Sequence, residues 1–138
     1  MKTTLSILIL SSSMLFGASS KLDDKTALVW QDNLEIATIA MNQEKAMKYC
    51  QTLRLDGFDD WRLPTLKEVY TIVDMKRDRP VLKDGFENRL SENFWTSTPF
   101  AENPNKKAWL IAMSYGEAEP QNKKRDYSVR CVRGGEVK

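Results

Sequence analysis

A chain of 138 residues that is 41% hydrophobic and 29% charged is sized and composed for one globular domain plus a short extra, with no repeat and no low-complexity tract. Its formal charge is only +2, and residues 1–20 hold one lysine and no acid, so the remainder is close to neutral. That balance argues against a general binder of nucleic acid or membrane surfaces, and the lack of any histidine removes His-based triads, histidine metal sites and the usual general base.

Residues 1–20 have the layout of a secretory signal peptide. Lys2 gives the positive start, Leu5 to Leu10 and Met14 to Phe16 the apolar region, and Gly17-Ala18-Ser19-Ser20 the small residues for cleavage. The apolar run is broken by serines and too short to span a bilayer, so no stable membrane span is expected. No cysteine follows, so no lipid-modified N-terminus is expected either. Residues 21–138 then form a single exported domain, periplasmic or secreted. In that oxidising setting the two cysteines, Cys50 and Cys131, read as one disulfide. A loop that long is worth about 4–5 kcal/mol in the chain-entropy account.

Residues 24–32 are rich in β-formers between polar flanks and predict a first strand. Residues 33–41 carry no clear pattern. Over residues 43–53, Ala46, Met47, Cys50 and Leu53 share one helical face, with Asn42 as N-cap. Next comes the segment around which the chain is organised. Asp56-Gly57 is a turn, Pro64 holds Leu63 extended, and Thr65-Leu66-Lys67-Glu68 is a capping box that must start a helix. Asp60, Trp61, Arg62, Pro64 and Thr65 are thereby candidate structural residues, a fixed corner with a buried aromatic anchor. Leu66, Val69, Tyr70 and Val73 extend that helix to about residue 74.

Residues 75–93 form a long polar stretch with isolated apolar anchors at Val81, Leu82, Phe86 and Leu90, so an ordered excursion is expected. Function, if carried by a loop, is expected there or in residues 99–107. The last third is β in character: residues 94–98 end at Pro99, residues 108–115 end at Gly116, and residues 126–133 alternate. Two early helices and late antiparallel strands make an α+β domain, with the helices packed on a small, mainly antiparallel sheet.

Several motifs in this order carry a resemblance: Ala27-Leu28-Val29-Trp30-Gln31-Asp32, Tyr49-Cys50, Gly57-Phe58-Asp59-Asp60-Trp61-Arg62-Leu63-Pro64-Thr65, Phe94-Trp95-Thr96-Ser97-Thr98 and Val129-Arg130-Cys131-Val132-Arg133. Together they resemble the C-terminal domain family of bacterial collagen-like adhesins, long a domain of unknown function. The resemblance covers essentially all of residues 21–138. It implies a C-type-lectin-like fold, a first-helix cysteine bridged to a final-strand cysteine, and binding of sulfated glycosaminoglycans. This sequence has no Gly-X-Y repeat, so no trimerisation through a collagen stalk is expected.

Residue by residue, catalysis finds no support. Asp59 and Asp60 are neighbours on an extended segment and point apart, which suits turn-capping or arginine pairing better than paired acid and base. Trp30, Trp61, Trp95 and Trp109 offer faces for sugar stacking, but large aromatics more often fill cores. Arg62, Arg130 and Arg133 can bind an anion or pair with Asp59, Asp60 or Glu68. Glu119-Pro120-Gln121-Asn122 resembles a sugar-lectin calcium motif, but with the wrong spacing and too few oxygen ligands, and reads as a turn. No metal and no cofactor is expected. What remains is basic residues in loops. Lys106, Lys107, Lys123, Lys124 and Arg125 are the candidate ligand-binding set, because two turns of an antiparallel sheet can lie at one end. Two functions follow as expectations: a module binding an anionic polysaccharide through these loops, or an interaction or structural module partnering an envelope protein.

Overall fold

The computed structural model describes residues 19–135. The expected leader falls outside that range except for its last two residues, and those are already part of the fold. The carbonyl of Ser19 accepts from Asp32 N at 2.9 Å, and Ser20 opens the first strand.

The elements run β1 (Ser20–Leu22), β2 (Val29–Gln31), α1 (Glu35–Thr38), α2 (Gln43–Thr52), α3 (Leu66–Tyr70), β3 (Asn93–Pro99), β4 (Lys107–Ala112), β5 (Glu117–Asn122) and β6 (Val132–Arg133). The class is α+β. Among the described residues the expected pair of helices on one sheet becomes three helices and two antiparallel three-stranded sheets, ordered β1-β2-β6 and β3-β4-β5.

Local chemistry accounts for each boundary. In α2, Asn42 Oδ1 accepts from Lys45 N at 2.9 Å, and Ala46 and Cys50 face inward, as the periodicity predicts. In α3 the capping box forms in full: Thr65 Oγ1 accepts from Glu68 N, and Thr65 N donates to Glu68 Oε1. The helix is shorter than its apolar spacing suggests. Thr71 N and Ile72 N turn back to carbonyls three residues earlier, and Val73 pairs with Leu82 on the returning chain. Tyr70, expected inward, is exposed, and Ile72 takes the buried position.

Two strand predictions need correction. Residues 24–32 are strand only at Val29–Gln31, because residues 23–28 close a turn in which Ala27 N donates to Asp23 O. Residues 119–122 are not a turn but the second half of β5. Pro120 is tolerated there because β5 is an edge strand and that position has no outer partner to donate to.

The β3-β4-β5 sheet separates two apolar clusters. Phe94 and Ile111 face one, with Trp30, Ile72, Val81, Leu82 and Phe86. Trp95 and Leu110 face the other, with Ala46, Cys50, Trp61, Leu63, Val129 and Cys131. Residues 129–132 are buried on both sides, with Val129 and Cys131 in one cluster and Val132 in the other. The period-two alternation of that segment is thus real, although only Val132–Arg133 meets a strand's pairing pattern. Cys50 and Cys131 are bonded, with Cα atoms 5.5 Å apart, joining α2 to the chain just before β6.

The excursion over residues 75–93 is tied down by backbone bonds such as Val81 N to Met113 O and by a buried ion pair at its centre. The Asp32 carboxylate accepts from Glu87 N and Asn88 N at 2.8 and 2.9 Å. Arg130 donates to Gln31 O, Asn88 O and Asp32 Oδ1, and lies over the Phe86 ring. Burial pulls the Arg130 guanidinium down to about 10, while Asp32 acts in the other direction.

Candidate basic ligand site

The five candidate cations come from two chain reversals at one end of the β3-β4-β5 sheet. The first joins β3 to β4. Phe100 N donates to Lys107 O, and both Lys106 N and Lys107 N donate back to Asn103 O, closing the turn. The second follows β5. Asn122 sits directly across from Lys107 in the β4–β5 register, and its Oδ1 accepts from Lys124 N while its carbonyl accepts from Arg125 N. One backbone bond ties the two together: Lys123 N donates to Lys106 O at 2.9 Å. The Lys123 ammonium then donates to Pro104 O at 2.7 Å, and Lys123 O accepts from Gln43 N at the start of α2.

Lys106, Lys107, Lys123, Lys124 and Arg125 therefore share one neighbourhood. Lys106, Lys124 and Arg125 are exposed, and Lys107 and Lys123 are half-buried. None of the five is in an ion pair among the described residues, whereas Arg54, Arg62, Arg77, Lys83, Arg130 and Arg133 all are. The acids closest in sequence, Glu102 and Asp126, are exposed and dilute the field without neutralising a particular cation. Such a surface can take sulfate or carboxylate groups as a set of mobile point charges. The Asn122 side chain, which caps the second reversal, is a site feature that the sequence reading did not single out; an Asn before Lys-Lys-Arg was the available signal.

The arginines weighed as anion binders, Arg62, Arg130 and Arg133, are engaged within the fold. Arg62 Nη1 and Nη2 donate to Glu68 Oε1 and Oε2 at 2.6 and 2.7 Å, and Glu68 is fully buried. Arg133 Nε and Nη2 donate to the Asp60 carboxylate at 2.6 and 3.0 Å, and its guanidinium lies 3.6 Å over the Phe58 ring. That hydrogen bond holds the Asp60 carboxyl below its usual value and raises Arg133. Asp59 faces Arg54 on the surface at 3.3 Å. Trp61 is buried with its indole N–H donating to Phe58 O, and Pro64 O accepts from Ser97 N, so the corner from Asp60 to Thr65 is bonded into the framework at each of its candidate residues. Among the described residues no group of three or more acidic or cysteine side chains is arranged to hold a metal ion, and no helix is long and apolar enough to cross a membrane.

Of the four tryptophans, Trp30, Trp61 and Trp95 are core residues, 0%, 2% and 0% exposed. Trp109 is not. It is partly exposed on β4 and packs edge-on against Phe100, ring centroids 5.4 Å apart.

A family model described as the Lcl C-terminal domain matches residues 21–133. No curated protein matches the chain.

Proposed function

The chain belongs to the Lcl C-terminal domain family, and from that premise we propose that it is an exported, non-enzymatic module of C-type-lectin-like fold that binds anionic glycans, sulfated ones above all, at the basic end of the β3-β4-β5 sheet. The observation that carries this reading is the Lys123 N to Lys106 O bond, which gathers five cations with no acid paired to any of them among the described residues. Lys106, Lys107, Lys124 and Arg125 can meet a ligand's sulfate groups without first breaking an ion pair, and Lys123 keeps its charge while donating to Pro104 O. The disulfide supports an oxidising compartment, in keeping with the leader-like sequence of residues 1–20. The similarity to a collagen-linked adhesin supports an adhesive role, at whatever valency the chain achieves.

The test is charge reversal. Lys123→Glu, Lys124→Glu and Arg125→Glu together should abolish most binding to heparin-type chains and flatten what salt dependence remains. Unchanged affinity in a folded variant would refute the site.

A second reading, a module that partners an envelope protein, is favoured by one surface. Met75 and Tyr115 are 67% and 50% exposed, and Met75 Sδ lies so close to Gly116 that a methyl there would sit 2.7 Å from it. The resulting apolar spot is small. If that reading is right, the triple reversal leaves capture of the partner intact and Met75→Lys abolishes it.

A further inference from the structure

Resting on the basic-end reading, we propose that Trp109, braced by Phe100, is a stacking platform for a pyranose ring of the bound polysaccharide, so that the site reads the sugar as well as its charge. Lysines and an arginine alone cannot tell a sulfated polysaccharide from any other polyanion, since each contributes a point charge or a fork of donors and nothing that recognises a ring. Trp109 supplies what they lack.

The placement follows from strand geometry. On β4, Ala108 and Leu110 point into the core and are fully buried, so Lys107 and Trp109 share the opposite face. In the β4–β5 register Lys107 lies across from Asn122 and Trp109 across from Pro120. Two residues along a strand span about 7 Å, so a cation and a ring on one face lie close enough for a single bound oligosaccharide to meet both. A chain lying along β4 thus meets a cation and then an aromatic ring on the same face. Phe100 stands at 81° to the indole and holds it edge to face. Trp109 belongs to neither apolar cluster of the fold. Its indole N–H donates to no protein acceptor among the described residues, which leaves it for a ring hydroxyl. The negative face of an indole complements the C–H groups of a pyranose face, and both surfaces are apolar enough to gain from leaving water.

The experiment compares two polyanions, a sulfated heparin-type oligosaccharide and poly(vinyl sulfonate), which carries sulfonates but no sugar. With Trp109→Ala, oligosaccharide affinity should fall about tenfold, as for loss of one good aromatic contact, while poly(vinyl sulfonate) affinity holds. Trp109→Phe should recover part of the loss. Equal weakening for both polymers, or no change for either, overturns the stacking role. Should Trp109→Ala fail to fold, acrylamide quenching of the unmodified protein decides. Trp109 is partly exposed and the other three tryptophans are buried, so the oligosaccharide should shield fluorescence from quenching and poly(vinyl sulfonate) should not. Quenching unaffected by bound oligosaccharide overturns the proposal. Binding of poly(vinyl sulfonate) without the oligosaccharide refutes stacking while leaving the basic end standing. Binding of neither refutes both.

Discussion

Arg62 and Glu68 meet in a two-pronged pair, 2.6 and 2.7 Å, in which the carboxylate is fully buried and the guanidinium keeps one edge near solvent. Glu68 also accepts from Thr65 N, so one side chain joins the corner, the helix start and, through Arg62 to Gly134 O, the residue just after β6. Arg62→Leu leaves a buried carboxylate with only one donor from that set. The expected cost is about 3 kcal/mol, at the lower end for breaking a buried pair because Arg62 is partly exposed. Denaturant unfolding measures it, and Glu68→Gln paired with Arg62→Leu should cost less than the two single losses summed.

Arg130 and Asp32 do the same for the excursion. Arg130→Met removes the donors to Gln31 O and Asn88 O and leaves Asp32 without its counter-ion. About 3 kcal/mol of stability should go with it. The amides of Glu87 and Asn88, which donate to Asp32, should exchange with solvent faster than those of β4.

The Cys50–Cys131 bond closes a sequence separation of 81 residues. Loop-closure entropy puts its loss at about 4.5 kcal/mol. Cys50→Ala with Cys131→Ala should lower the denaturation midpoint accordingly, and reduction of the parent protein should match the double variant. A midpoint unchanged by reductant would mean the bond contributes little.

Tyr49 gives a pH signature. Its hydroxyl donates to the Glu35 carboxylate and accepts from Gln31 Nε2, and burial first, then Glu35, raise it above the ordinary 10.0. A raised folded value favours the protonated native state, so the contribution is full below pH 10 and is lost as pH rises through the folded value. Stability should therefore decline on the alkaline side above that pH, and Tyr49→Phe should flatten the decline. Tyrosinate absorbance checks it directly: Tyr49 should ionise only with alkaline unfolding.

Where local chemistry alone decides a feature, the sequence was a sufficient guide. The Thr65 capping box, the Asn42 cap and the buried Cys50 face all follow from residue type and spacing, and all are present. Features set by tertiary partners were not legible. Pro120 looked like a turn because nothing in its neighbours announces an edge strand, which only the register with Trp109 creates. The end of α3 was overrun because Val73 is claimed by Leu82, a residue across a loop. Residues 33–41 hid a one-turn helix too short for periodicity to register. The five cations could be named from the sequence, but what gathers them could not: β5, read from the sequence as a turn, is the strand that returns residues 123–125 to the Lys107 end of β4. The exception among the tryptophans was not legible either, because Trp109 shares a face with the buried Ile111 and only its place towards the Lys107 end of β4 leaves it outside that cluster.

The central claim is that an unpaired cationic surface holds a sulfated chain. Its most direct test is a titration of the oxidised protein with a heparin-type polysaccharide over a range of salt, with calcium and with chelator. Binding should weaken steadily as salt rises and be indifferent to chelator, since the cations are the protein's own. No binding at low salt, or binding that chelator abolishes, would contradict it.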